Sequence, residues 1–190
     1  MSLSTIDPKS ALVVIDLQNG IASMPTQPHA ADDVIERTVR LAEAFRARDL
    51  PVVLVRVSFS GPDAVPGRTE AARDAGPGAP RPEGWDQIVD VLAPLGDALV
   101  TKHNWGAFHG TDLDVQLRRR GVTQVVLTGI ATSIGVESTA RAAHEHGYHV
   151  AVVTDAVADR SAEVHDHSVA QIFPRLGETG TTDEVLALLS

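Results

Sequence analysis

The chain has 190 residues, of which 43% are hydrophobic and none is cysteine, and its formal net charge is −9. This length favours a single domain over residues 1–190. The lack of cysteine excludes disulfides, thiolate metal sites and a cysteine nucleophile. The negative charge argues against nucleic acid or an anionic membrane as a partner. No apolar run approaches the roughly 20 residues of a membrane span, and the N-terminus has no signal-peptide core, so we expect a cytoplasmic protein.

Short apolar runs rich in β-branched residues predict the strands of a buried parallel sheet. In chain order they are ALVVI at 11–15, PVVLVRV at 51–57, ALVT at 98–101, QVVL at 124–127 and HVAVV at 149–153. Helical periodicity between these runs predicts helices over 33–48, 85–95, 112–120 and 134–146. Strands that alternate with helices predict a three-layer α/β fold, in which helices cover both faces of the sheet.

The segment 58–84 is rich in glycine and proline and shows little periodicity. A loop of this length in a compact domain is typical of a lid, a binding loop or an arm that contacts a partner. A plain surface loop is the alternative.

Polar residues follow two of the predicted strands, at the edge where parallel sheets bind their ligands. Asp16 ends the first run, in VVIDLQNG, between two apolar neighbours, which is a costly place for an unpaired carboxylate. An ordinary capping role is an equal alternative for it. Lys102 follows the weak run at 98–101 and could pair with Asp16 across the same crevice, although most lysines lie on the surface.

The segment after Lys102 is unusually aromatic for a loop. Trp105 and Phe108 alternate with glycines and histidines in HNWGAFHG. Aromatic residues on a glycine-rich loop suit the wall of a small-molecule pocket. They suit the interface of an oligomer equally well.

Small residues surround the start of the predicted helix in TGIATSIGVESTAR, residues 128–141. The backbone amides of 133–136 could point into the crevice and favour an anion or a developing oxyanion. Tight packing of strand against helix is the structural alternative for its glycines. The run lacks the glycine patterns that bind nucleotides.

Eight histidines raise the possibility of a metal site. The pairs His144/His146 and His165/His167 are spaced by two residues, which places the members of each pair on different sides of a helix. A helical zinc pair needs a spacing of four. We therefore interpret these histidines as solvated helix residues and expect no metal.

Three segments together resemble the isochorismatase-like superfamily, which is also called the cysteine hydrolases. They are VVIDLQNG at 13–20, TKHNWGAFHGTDLD at 101–114 and TGIATSIGVESTAR at 128–141. Their order, spacing and strand–helix context match the family over nearly the whole chain. The resemblance implies a six-stranded parallel sheet of order 3-2-1-4-5-6 and a non-proline cis peptide between Ile130 and Ala131.

The resemblance also implies the site. Family members carry a catalytic Asp–Lys–Cys triad, whose aspartate and lysine correspond to Asp16 and Lys102, whereas Gly135 stands at the position of the nucleophile. The other residues that we expect to bind substrate are Gln18, Trp105, Phe108, Ala131 and Ile134, together with Gly135. The metal-binding histidines of the nicotinamidase members have no counterpart in 58–84, and we expect no cofactor.

Gly135 closes the thiolate route to an acyl-enzyme. True isochorismatases also have glycine there, and in them the aspartate acts as a general acid on a vinyl ether. The resemblance therefore implies a hydrolase that acts through Asp16 and Lys102, without a covalent intermediate, on a vinyl ether such as isochorismate or on another small metabolite. A catalytically silent binding protein and an amidase that uses an activated water are the alternatives. We also expect a homo-oligomer, a dimer or larger, that uses the aromatic segment and the glycine- and proline-rich loop 58–84.

Overall fold

A computed structural model describes residues 3–60, 68–70 and 81–190. Most of the predicted loop 58–84 therefore lies outside the described residues. Among the described residues, no helix is long and apolar enough to cross a membrane.

The strands form one six-stranded parallel sheet, as the resemblance predicts, whereas the apolar runs of the sequence predicted five strands and missed the last one. Its order is β3-β2-β1-β4-β5-β6. The bounds of the strands are Ser10–Ile15 for β1, Val52–Val57 for β2, Ala98–Lys102 for β3, Gln124–Ile130 for β4, His149–Ala158 for β5 and Glu178–Gly180 for β6. The order reverses direction between β1 and β4, so the crevice that forms there is the expected ligand site of such a sheet.

Helices cover both faces of the sheet. Their bounds are Asn19–Ala22 for α1, Ala31–Ala47 for α2, Leu113–Arg119 for α3, Glu137–Glu145 for α4, Ala162–His167 for α5, Phe173–Leu176 for α6 and Thr182–Leu188 for α7. A 3₁₀ turn spans Ala93–Leu95, and π-helical turns span Thr132–Val136 and Ser168–Ile172.

The core consists of two layers because each inner strand is buried on both faces. On one face Leu12 and Val14 pack in a cluster with Phe45 of α2. On the other face Val13 and Ile15 share a cluster with residues of α3 and α4. Burial on both faces explains why the strand sequences read as continuous apolar runs rather than as alternating ones.

The predicted helix over 85–95 is wrong. Its apolar residues Ile88 and Leu92 are buried, but the chain forms turns there, and Ile88 pairs as an isolated bridge with Gln18. Three apolar residues at helical spacing satisfied the periodicity without a helix. Trp85, at the start of this segment, lines the cleft at the carboxyl edge of the sheet.

Candidate active site

Asp16 and Lys102 meet at the carboxyl edge of the sheet. Asp16 follows the last residue of β1 and Lys102 ends β3, and the Lys102 Nζ lies 2.7 Å from the Asp16 Oδ2. The two side chains are only 5% and 2% exposed. The Nζ also donates to the carbonyl of Asn104, over 3.2 Å. The predicted pairing of these strand ends is therefore present in the structure.

The electrostatics of Asp16 favour a carboxyl group that can carry a proton. Burial raises the pKa of Asp16 from 3.8 to about 6, while the positive charge and the hydrogen bond of Lys102 act in the opposite sense. The Oδ1 atom is buried and accepts no hydrogen bond from the described residues. A buried oxygen without a donor disfavours the ionised form. Asp16 can thus hold a proton up to about pH 6 and release it to a substrate.

The backbone of Asp16 is also unusual. Its φ angle is +53°, in the left-handed region that non-glycine residues seldom adopt. Its amide still donates to the carbonyl of Val55 over 2.9 Å, as in the adjoining ladder. The chain therefore turns sharply directly after the last ladder bond of β1. Unusual backbone of this kind concentrates at functional sites.

The segment after β4 forms the opposite wall of this site. The peptide between Ile130 and Ala131 is cis, as the resemblance predicts, and the π-helical turn Thr132–Val136 follows it. A Cβ atom on Gly135 would lie 3.1 Å from the Asp16 Oδ2 and 2.9 Å from the Ile15 Cγ2. The position that the resemblance equates with the nucleophile of the family is therefore directly beside Asp16, and glycine has no reactive group there.

The prediction that the amides of this turn point into the crevice is wrong for three of them. The Ser133 amide donates to the Asp159 Oδ2 over 2.7 Å. The amides of Ile134 and Val136 both donate to the carbonyl of Ala131. A π-helical turn and a neighbouring carboxylate use donors that an isolated helix start would leave free.

A cleft of about 860 Å³ opens over the Asp16–Lys102 pair. Six of the predicted site residues line it, namely Asp16, Lys102, Trp105, Ala131, Ile134 and Gly135. Trp105 is 65% exposed at its rim. This volume falls in the usual range for sites that bind small molecules.

Gln18 and Phe108 lie elsewhere. The Gln18 side chain is fully buried and bridges to β2, since its Oε1 accepts from the Val57 amide and its Nε2 donates to the Val57 carbonyl. Phe108 packs in the core between His146 and Tyr148, with ring centroids 5.0 and 5.9 Å away. Neither residue lines the cleft, so Gln18 supports its floor and Phe108 supports the fold.

Sequence reasoning missed the two arginines of the cleft. The Arg81 guanidinium lies over the rings of Phe59 and Trp85, at 4.1 and 4.9 Å. The Arg160 Nη2 contacts the Met24 Sδ at 3.3 Å. Neither arginine forms an ion pair with a carboxylate of the described residues. Arg160 lies just after β5, and a place after a strand is the signal that could have located it. The apolar run that predicted β5 ends five residues before the strand does, so Arg160 did not stand at the predicted strand end.

The interpretation of the paired histidines as solvated helix residues is wrong for His165. His165 is 4% exposed, because its ring turns inward and lies 2.9 Å from the hydroxyl of Thr132. His167, two residues further along α5, is exposed. Within the described ranges no group of three or more potential metal ligands comes together.

Comparison with known proteins identifies the family. The isochorismatase domain family matches residues 10–184, and the chain belongs to this family of hydrolases. It is 45% identical to the isochorismatase family protein YecD of Escherichia coli O157:H7, over 95% of this chain and 96% of that one. The ureidoacrylate amidohydrolase RutB of Stutzerimonas stutzeri is 34% identical, over 78% of this chain and 69% of its own.

Solved structures agree with this assignment. An isochorismatase family protein from Burkholderia thailandensis superposes with a TM-score of 0.91 at 49% identity, over 99% of both chains. The N-carbamoylsarcosine amidase from Thermoplasma acidophilum has a TM-score of 0.74 at 30% identity, over 92% of this chain and 97% of that one. The relatives of this chain thus include enzymes named for amide substrates.

Proposed function

We propose that this protein hydrolyses a vinyl ether of a small metabolite, such as isochorismate, with Asp16 as general acid and without a covalent intermediate. The observation that carries this proposal is the protonatable Asp16 carboxyl beside Gly135, where a Cβ atom would lie 3.1 Å from the Oδ2. The chain has no cysteine, so a thiolate cannot attack an acyl carbon.

The chemistry requires one proton donor and one water. Asp16 donates its proton to the terminal carbon of the vinyl ether, which leaves an oxocarbenium ion at the carbon that bears the ether oxygen. Water adds to that carbon and loses a proton to the Asp16 carboxylate, which restores the acid. The resulting hemiketal collapses to a ketone and an alcohol, and the ketone from isochorismate is pyruvate. Lys102 holds Asp16 in place and tunes its pKa.

The two arginines support a substrate that carries a carboxylate. The chain has a net charge of −9, yet Arg81 and Arg160 line the cleft without acidic partners among the described residues. The ring contacts orient the Arg81 guanidinium and leave its N–H edge available, and such an edge matches a carboxylate. Isochorismate carries two carboxylates. We propose that Trp105, Ala131 and Ile134 contact its apolar parts.

A second candidate, amide hydrolysis by an activated water, is favoured by the names of RutB and the N-carbamoylsarcosine amidase. A carboxyl group with a pKa of about 6 can serve as an acid or as a base near neutral pH, so the substrate panel below decides between the two candidates.

The test is to follow pyruvate release from isochorismate by wild type and Asp16→Asn. Parallel incubations with ureidoacrylate and N-carbamoylsarcosine report amide hydrolysis. We expect pyruvate from wild type alone. Amide turnover without pyruvate release would replace the proposal by the second candidate, and binding of isochorismate without any turnover would favour a silent binding protein.

We also propose that the protein acts in the cytoplasm as a homo-oligomer, through the rim around Trp105. The exposure of this large ring supports the proposal, since aromatic residues are enriched in interfaces. Sedimentation equilibrium at micromolar concentration should give a dimer or larger, and a 20.1 kDa species would contradict it.

A further inference from the structure

A buried hydrogen bond lies behind the wall that carries Gly135. Thr132 is the first residue of the π-helical turn and is fully buried, and its Oγ1 lies 2.9 Å from the Nδ1 of His165 on α5. Neither residue lines the cleft, and the mechanism above uses neither of them. A polar pair enclosed in this way rigidifies the elements that it joins.

The charge state of His165 is set by its surroundings. Burial is the main cause that lowers its pKa, and the ring of His29, 6.0 Å away edge to face, lowers it further. The carboxylates of Asp166 and Asp159 act in the opposite sense. The neutral imidazole that results can exchange one hydrogen bond with the Thr132 hydroxyl without burying a charge.

Other hydrogen bonds hold the same turn at neighbouring points. The Ser133 amide donates to Asp159 over 2.7 Å, and the Thr139 hydroxyl donates to the Gly135 carbonyl over 2.7 Å. The Thr132–His165 bond adds a contact to α5, at the end of the turn that follows the cis peptide. The turn is thus fixed from behind while its front covers Asp16.

We propose that His165 is a positioning residue, which acts through Thr132 to hold the Thr132–Val136 turn against Asp16. The gap between this turn and the acid is narrow, since a Cβ atom on Gly135 would lie 3.1 Å from the Asp16 Oδ2. A displacement of a few tenths of an ångström changes both the alignment of the substrate and the access of water to the carboxyl group. The catalytic part of this inference rests on the proposed function, whereas the effect on the burial of Asp16 does not.

The experiment compares variants at the two ends of the bond with a matched control. His165→Leu and Thr132→Val each remove one partner, and the second substitution keeps the side-chain shape. His165→Asn keeps a polar atom near the position of the Nδ1. His167→Leu makes the same substitution on the same helix, at an exposed site. The readouts are the ¹³C NMR titration of the Asp16 carboxyl carbon and the kinetic constants for isochorismate.

We expect His165→Leu and Thr132→Val to lower the pKa of Asp16 from about 6 by about 0.5 or more, because water reaches a less tightly covered carboxylate. We expect kcat to fall about tenfold and KM to change less than about threefold, since misalignment affects the reacting atoms more than binding. His165→Asn and His167→Leu should behave nearly as wild type. The double variant His165→Leu/Thr132→Val should be no worse than the more affected single variant.

Wild-type titration curves in both His165→Leu and Thr132→Val would overturn the inference, and so would fully additive effects in the double variant. If His165→Leu does not fold, Thr132→Val and His165→Asn still decide. If wild type releases no pyruvate, the proposed function fails, while the NMR titration continues to test the role of His165.

Discussion

The two edges of the sheet each carry a charged concavity, and they differ in how the charges are solvated. At the amino edge, a cavity of about 620 Å³ is lined by Arg46 and Asp97 among other charged residues. These two form an ion pair of 2.9 Å, with side chains 41% and 39% exposed. At the carboxyl edge, the Asp16–Lys102 pair has a similar length of 2.7 Å and is almost fully buried.

The two edges differ chemically because one ion pair is buried and the other is exposed, and not because of the size of the cavity or the number of charges. Water screens the exposed pair, whose net contribution is typically below about 1 kcal/mol. The enclosed pair loses that screening, so its protonation equilibrium depends on the protein around it. The raised pKa of Asp16 is a consequence, and it is the reason why the proposed function assigns the reaction to the carboxyl edge. The same substitution made at both edges tests this difference.

The largest expected effect is on turnover by Asp16→Asn. The amide keeps the shape of the carboxyl group but supplies no proton, so kcat should fall by about 10²–10⁴-fold, with the binding of isochorismate largely retained. The matched control is Asp97→Asn at the amino edge, whose kcat should stay within about twofold of wild type. A fully active Asp16→Asn would remove the general-acid assignment.

Lys102→Met should cost about 3–5 kcal/mol of folding free energy at pH 7, because it leaves a buried carboxylate without its partner. It should also raise the pKa of Asp16 above about 6, since Lys102 lowers that pKa. Arg46→Met should cost at most about 1 kcal/mol. Urea denaturation of the three proteins gives the comparison, and equal losses in both variants would contradict the contrast between the edges.

The buried carboxyl group at the carboxyl edge should also make the free energy of unfolding depend on pH. The pKa of Asp16 is raised in the folded state from 3.8 to about 6. Its contribution to the free energy of unfolding is therefore fully present below pH 4 and is lost as the pH rises through 6. At about 1.4 kcal/mol per pKa unit, the loss is roughly 3 kcal/mol. Subtraction of the Asp16→Asn curve from the wild-type curve isolates it. A flat difference between pH 4 and 7 would show that Asp16 is ionised throughout.

Gly135→Cys should have the smallest effect on activity, and it should measurably lower the free energy of unfolding. A vinyl ether offers no acyl carbon to a thiolate, so pyruvate release should not improve. The new Cβ would lie 2.9 Å from the Ile15 Cγ2, and such overpacking costs about 1–3 kcal/mol. Gly135→Ala separates the steric cost from the effect of the thiol. Weak hydrolysis of ureidoacrylate by the cysteine variant alone would indicate that Asp16 and Lys102 can still support a nucleophile.

The sequence predicted the parts of the site that follow visible strands. Asp16 and Lys102 could be located because each ends a run of apolar residues, and the ends of parallel strands meet at one edge. Gly135 came from the resemblance alone. Arg160 could not be located, because Thr154 and Asp155 interrupt the apolar run of β5 while its ladder continues to Ala158.

The remaining errors have a common physical cause, which is that tertiary contacts decide where a side chain points and which conformation a segment adopts. Helical spacing predicted that His165 and His167 lie on different sides of α5, which is correct, but not that Thr132 would bind the inner one. Phe108 belongs to an aromatic segment whose rings separate, one to the rim and one to the core. The periodicity at 85–95 identified buried residues correctly and their conformation wrongly.

The most direct test of the central claim is the pH profile of kcat/KM for isochorismate, measured with the ¹³C titration of the Asp16 carboxyl carbon on the same protein. If Asp16 reacts as a protonated acid, kcat/KM falls as the pH rises above about 6, and the kinetic and NMR midpoints coincide. A carboxyl group that titrates near 3.8, or a kcat/KM that rises through pH 6, would contradict the account, since Asp16 would then act as a base.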